Sequence, residues 1–315
     1  MAKKSDAPTP TLPTPLHNPR LRDPKLYQPS DALWDAVQVS LLLEQPLLVT
    51  GDPGTGKTEL ASYIADHYGL GKLEVFNAKT TSAANELFYK YDALAHFQQS
   101  HQGGEPFPLE EVERLFIRYQ ALGKAIQAEN RTVVLIDEID KAPRDLPNDV
   151  LAAIDRMEFE VPELDNKPYK ATHRPIVVIT SNSEKNLPDA FLRRVAYFHI
   201  MPPSEPELVQ ILQNKVGYKA AEGDEKEIPG YQEEEIKPLV AHFNAICEAK
   251  TLQKNPATAE LLHWVSLLHH YKFKPENLVS KSLDVQARAI LLKSYSVLAK
   301  TKDDLKELSE RLKKL

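Results

Sequence analysis

The sequence predicts an α/β chain: a parallel sheet covered by helices on both faces, followed by a smaller all-α domain. Three observations carry that expectation. Short apolar runs at 46–50, 73–76, 132–136, 176–180 and 195–200 alternate with helical segments, the rhythm of buried parallel strands joined by crossover helices. The first run passes directly into a glycine-rich stretch, GDPGTGKT at 51–58. After Met201-Pro202-Pro203-Ser204 the strand pattern stops and only helical periodicity continues.

Three regions follow. Residues 1–27 carry Pro8, Pro10, Pro13, Pro15, Pro19 and Pro24 and few large apolar side chains. Proline removes a donor and disfavours helix at the residue before it, so a flexible or extended leader is expected. Residues 28–202 form the nucleotide-type domain. It opens with Ser30 as helix cap and a stripe through Leu33, Trp34, Val37, Val39, Leu41 and Leu42. The segment 77–130 reads as helical, without an assigned role. Residues 203–315 form the helical domain, with helices expected at 204–216 (Gly217 as stop), 232–249, 256–271 and 283–299, and a leucine-spaced tail from 303.

Composition bounds the rest. The 315 residues are 42% hydrophobic and 27% charged, values typical of soluble globular domains. No run approaches the about 20 apolar residues a membrane helix needs, and the N-terminus has no secretory apolar stretch. Cys247 is the single cysteine, so no internal disulfide forms, and a reducing, cytoplasmic setting is expected. A net charge of −6 argues against nucleic acid as partner. The histidines at 96, 101, 263, 269 and 270 lack the spacing of a metal site.

The chemistry concentrates at two places. Residues 51–58 fit the pattern G-x-x-x-x-G-K-[ST]. Asp52, Pro53, Gly54, Thr55 and Gly56 would wrap backbone N–H groups around phosphates, Lys57 would reach the β and γ phosphates, and Thr58 would hold Mg²⁺. The following helix would point its positive end at the same anion. The second place is Val133-Val134-Leu135-Ile136-Asp137-Glu138, an apolar strand ending in two carboxylates. Buried strands do not carry free charges cheaply, but at a strand's C-terminal end they face the ligand crevice. Asp137 would position the metal ion and Glu138 would polarise the attacking water. An amide at Asn182, after another buried strand, offers both a donor and an acceptor there. Arg193 and Arg194 are read from residues alone as either phosphoryl-charge stabilisers or a surface pair.

From about 30 to 270 the chain resembles AAA+ ATPases, and most of all their MoxR group. VVLIDEID at 133–140 resembles the second nucleotide motif, ITSN at 179–182 the sensor-1 strand, and LPDAFLRR at 187–194 the segment bearing the arginine finger. NELFYKYDALAHF within 77–97 is similar to the stretch after the second strand, and 159–172 to the hairpin before sensor 1. The resemblance implies a P-loop αβα sandwich with a small all-α lid, ATP and Mg²⁺ as ligands, Asn182 as sensor 1, and Arg194, ahead of Arg193, as finger. It also implies a homo-hexameric ring that remodels or matures a protein client, with a von Willebrand factor A domain protein as partner. One departure stands out: the segment 254–261 that matches the sensor-2 region has Lys254 but no arginine. Two alternatives stay open, a slowly hydrolysing assembly switch and a GTP-driven DNA-processing motor. The second lacks a guanine-reading motif.

Overall fold

The computed structural model describes residues 12–103, 106–182, 187–216, 218–219, 227–228, 230–280 and 283–313. The described residues divide into two compact units. One contains Asp23–Ser204 together with Ala257–Ala259, and the other contains the described residues up to Arg22, Glu205–Pro256 and those from Glu260 onward.

In the first unit the strands in chain order are β1 (Leu47–Gly51), β2 (Glu74–Asn77), β3 (Tyr89–Tyr91), β4 (Ile117–Tyr119), β5 (Val133–Asp137), β6 (Glu158–Val161), β7 (Lys167–Lys170), β8 (Ile176–Ser181) and β9 (Ala196–Ile200). The helices are α1 (Asp31–Leu43), α2 (Lys57–His67), α3 (Ala93–Gly103), α4 (Leu109–Phe116), α5 (Ala121–Gln127), α6 (Leu146–Arg156) and the short α7 (Asp189–Leu192). Five strands form one parallel sheet in the order β2-β5-β8-β1-β9. The five apolar runs of the sequence are these five strands, with ends displaced by a residue.

Alternation along the strands explains why both faces are buried. Leu47 and Val49 of β1 join Val133, Leu135, Ile176 and Val178 in a core completed by α1 and α2. Leu48, Val134, Ile136, Val177 and Ile179 point to the other face, where α5 and α6 cover them. Ser30 caps α1 as its sequence position predicts, its hydroxyl accepting from Leu33 N–H at 3.3 Å.

The segment 77–130 holds more than helix. Its α3, α4 and α5 are interrupted by β3 and β4, which pair antiparallel. Runs of three residues separated by two helices leave no period in the sequence, so the pairing was not predicted. The hairpin expected before β8 is present as β6 and β7.

The second unit contains α8 (Glu205–Lys215), α9 (Glu233–Glu248), α10 (Thr258–His270, from Glu260 onward), α11 (Val285–Leu298) and α12 (Lys302–Lys313). They share a core in which Trp264 is fully buried and donates its indole N–H to Ser294 Oγ at 2.9 Å. A two-residue antiparallel pair, Tyr218–Lys219 with Glu227–Ile228, departs from the all-helical expectation. Gly217, expected as a helix stop, lies outside the described residues. Among the described residues no helix is long and apolar enough to cross a membrane.

Part of the proline-rich N-terminal stretch is held in place rather than extended. Asn18 Nδ2 donates to Lys215 O at 2.9 Å and Ser266 Oγ at 3.4 Å, and Lys215 Nζ donates to Leu21 O at 3.3 Å, all within the helical unit. Pro19–Arg22 and Pro24–Leu26 form single 3-10 turns. Tyr27 then packs its ring 5.6 Å from that of Tyr63 on α2. Prolines end helices but suit such turns, and one amide and one ring are enough to fix the segment. Residues 1–11 lie outside the described residues.

Candidate functional site

The site grows from the C-terminal ends of β1, β5 and β8. At Gly51 the strand gives way to a loop that α2 ends at Lys57. Gly54 and Gly56 have φ of 81° and 88°, the left-handed region that side chains resist. At Gly56 a Cβ would also stand 3.0 Å from the Tyr27 ring. The open N-terminus of α2 therefore aims unpaired N–H groups at whatever fills the loop.

Lys57 is 7% exposed. Its ammonium donates to the carbonyls of Gly51 at 2.7 Å and Asp52 at 2.8 Å. Burial pushes its pKa below the usual lysine value, opposed by the charges of Asp137, Asp52, Asp140 and Glu138. Thr55 Oγ1 donates to Asp52 O at 2.8 Å, so Asp52 and Thr55 shape the loop.

Asp137 ends β5. The register pairs Ile136 with Ile179 and so sets Thr180 beside it. Thr180, fully buried, donates its hydroxyl to Asp137 Oδ1 at 2.5 Å and accepts the Glu138 N–H at 2.9 Å. Thr58 on α2 donates to the same Oδ1 at 3.2 Å. Glu138 lies in the left-handed region, φ 56° and ψ 50°, which turns its side chain off the line of the strand at a conformational cost typical of functional positions. Its Oε1 accepts from Asn182 Nδ2 at 3.1 Å and its Oε2 from Lys141 Nζ at 2.5 Å. The Asn182 N–H reaches Asp140 Oδ1 at 3.3 Å.

These groups line a cleft of about 230 Å³ bounded by Pro53, Gly54, Gly56, Lys57, Thr58, Glu59, Asp137, Glu138, Thr180 and Asn182. The structure thus gathers the P-loop residues, both carboxylates of β5 and Asn182 in one place. Arg193 and Arg194 are elsewhere: both are exposed on the turn between α7 and the edge strand β9, outside the cleft lining. The sequence reading passed over Thr180, Glu59, Lys141 and Tyr27. Thr180 had a usable signal, a hydroxyl near the end of a strand that is apolar up to Ile179. Lys141 had none beyond a common three-residue spacing from Glu138. Tyr27 and Glu59 had none.

The donor set fits Mg²⁺. Thr58 and Asp137 are hard oxygen ligands 3.2 Å apart at the cleft wall, and Mg²⁺ in nucleotide sites takes one or two protein ligands plus phosphate and water. Among the described residues no group of three or more His, Cys, Asp or Glu is arranged to hold a metal by itself.

Two point mutants of RuvB from Thermotoga maritima are similar in structure. One has a TM-score of 0.47 and 13% identity over 86% of this chain and 69% of its own. The other has a TM-score of 0.44 and 12% identity over 90% of this chain and 70% of its own. No curated protein matches the chain. Residues 46–195 match the AAA domain of the dynein-related subfamily, and this stretch holds the P-loop, Asp137, Glu138 and Asn182.

Proposed function

We propose that the chain is a MoxR-type AAA+ ATPase. It hydrolyses ATP in a homo-hexameric cytoplasmic ring and couples turnover to remodelling or maturing a client protein, with a von Willebrand factor A domain protein as partner. The observation that carries the ATPase part is the convergence of Lys57, the Thr58–Asp137 pair and Glu138 on one cleft.

The chemistry follows from those groups. Lys57 and the N-terminus of α2 neutralise the nucleotide phosphates. Thr58 and Asp137 would hold Mg²⁺, which would supply further neutralisation of phosphate charge. Glu138 takes the proton from the attacking water on a carboxylate oxygen, and the Asn182 amide orients that water. Thr180 fixes Asp137 and the Glu138 backbone together. Arg194 stabilises the transferring phosphoryl group of a neighbouring copy. Glu138→Gln should bind ATP and hydrolyse it about 10²–10³-fold more slowly. Parental turnover in this variant rules Glu138 out as the base. The same variant, used as a trap in a pull-down, retains the client.

A second reading is a slow assembly switch. In the segment matching sensor 2, Ala257 and Ala259 are what meets the P-loop: a Cβ on Gly54 would stand 3.2 Å from one and 3.3 Å from the other. Neither supplies a cation to sense the γ-phosphate. Nucleotide-dependent assembly with turnover near zero, with or without partner, supports this reading over the first.

A further inference from the structure

Asp140 is an acid in a place where acids are unfavourable. It is 3% exposed, and a buried carboxylate is retained where its oxygens are hydrogen-bonded. It lies in the 3-10 turn Ile139–Lys141 that follows β5. That turn is anchored in the core by Ile139, which is fully buried. It is closed by Lys141 N–H donating to Glu138 O at 2.9 Å and Ala142 N–H to Ile139 O at 3.1 Å. The pairing of β5 with β8 ends at Ile136 and Ile179, and that of β1 with β8 ends at Thr50 and Ser181. Asn182 thus leaves β8 beyond both ladders, and its N–H needs an acceptor from elsewhere. Asp140 Oδ1 is that acceptor, at 3.3 Å.

We infer that Asp140 is a positioning residue for hydrolysis: from a rigid turn behind the cleft, its buried carboxylate holds the backbone from which Asn182 presents its side-chain amide. The inference rests on the reading that this amide orients the attacking water. Asn182 is in the cleft wall and Asp140 is not, so Asp140 acts through Asn182. A hydrogen bond from a backbone N–H to a carboxylate is charge-assisted and directional. It therefore fixes where the first residue after β8 points. Thr180 and Ser181 stay within the sheet and are buried, so loss of this one bond frees Asn182 alone. A misplacement of about 1 Å at such a group costs up to about 10²-fold in rate, and a partial release supports about tenfold.

The test is steady-state ATP hydrolysis by the full-length chain, with nucleotide affinity and binding stoichiometry read by fluorescent-nucleotide titration. Asp140→Ala should lower kcat about tenfold with affinity and stoichiometry unchanged, a split that an unfolded fraction does not give. Asp140→Leu, close in shape and without an acceptor, carries the same expectation if Asp140→Ala does not fold. The charge of Asp140 also reaches Lys57, so Asp140→Asn is the control. It removes the charge, keeps the acceptor oxygen, and should return kcat towards the parental value. Asn182→Ala should lower kcat about 10²-fold. In that background Asp140→Ala should cost at most about twofold more, because the side chain being positioned is gone. If Asn182→Ala turns over at the parental rate, the underlying reading fails and this inference falls with it. If Asn182→Ala is impaired and Asp140→Ala has a parental kcat, the inference alone is overturned. A full loss in Asp140→Asn, or a loss in Asp140→Ala that multiplies that of Asn182→Ala, also overturns it.

Discussion

Thr180 Oγ1 lies 2.5 Å from Asp137 Oδ1 and, through the same oxygen, 2.9 Å from the Glu138 amide nitrogen. One buried hydroxyl on β8 thus fixes the Asp137 carboxylate at the end of β5 and the backbone of Glu138 just after it. Thr180→Val keeps the shape and removes both bonds. It leaves the part-buried Glu138 N–H without its acceptor, a loss of about 1 kcal/mol. Melting temperature should fall and turnover should fall with it, whereas Thr180→Ser should recover both. Turnover at the parental level in Thr180→Val would show that Asp137 and Glu138 hold their places without it.

A different prediction concerns the arginines outside the cleft. Arg193 and Arg194 precede β9, which pairs with β1 alone and forms one edge of the sheet. In the proposed ring, a guanidinium there would serve a neighbouring copy. Arginines supplied in trans contribute about 10³–10⁵ in rate in comparable phosphoryl transfers. Arg194→Ala should keep nucleotide affinity and lose turnover. Lys57→Ala should lose nucleotide binding, read by fluorescent-nucleotide titration. Mixed together, the two inactive variants should regain activity at interfaces pairing an intact loop with an intact arginine. Native mass spectrometry confirms the mixed assemblies. If they form and stay inactive, repeating the mixture with Arg193→Ala separates a wrong finger from a concerted ring.

The helical unit contains an acid-sensitive point. His242 is half-buried, with Nε2 2.8 Å from Tyr295 OH and its ring stacked on Trp264. Burial, reinforced by the charge of Arg311, pushes its pKa down to about 4. An unfolded imidazole titrates near 6.5, so between these values the unfolded chain binds more protons. The full stability present above about pH 6.5 is therefore lost progressively as pH falls towards 4, by roughly 2 kcal/mol at pH 5. Melting temperatures at pH 7.5 and 5.0 read this slope, and His242→Gln should flatten it. An unchanged slope in that variant would place the acid sensitivity elsewhere.

What the sequence disclosed, it disclosed through periodicity and through residue types with few substitutes. The central strands β1, β5 and β8 were legible because parallel strands buried on both faces are apolar runs, as in Leu47–Val49 and Val133–Ile136. Lys57, Asp137 and Glu138 were legible because strand context and spacing converge on them. The β3–β4 pair was not, since three-residue strands have no period and pair across long separations. Nor was the hold on Asn18 and Tyr27, because a single amide and a single ring leave no pattern in a proline-rich stretch. Lys141 was hidden by its ordinariness: a lysine three residues from a glutamate is common, and only the left-handed turn at Glu138 makes the two meet.

The order β2-β5-β8-β1-β9 leaves the sheet with two outer strands, each hydrogen-bonded along one side only. Such rows of open N–H and C=O groups template aggregation when they are long and flat. On β2 the row is four residues, and its first side chain, Glu74, is charged and paired with Lys124 at 3.3 Å. β9 is longer and carries Tyr197, 57% exposed, but α1 packs beside it. The two margins are thus guarded differently, one by brevity and charge, the other by a neighbouring helix. Fragments that begin after α1 lose the second guard, and their solubility should fall below that of the full chain.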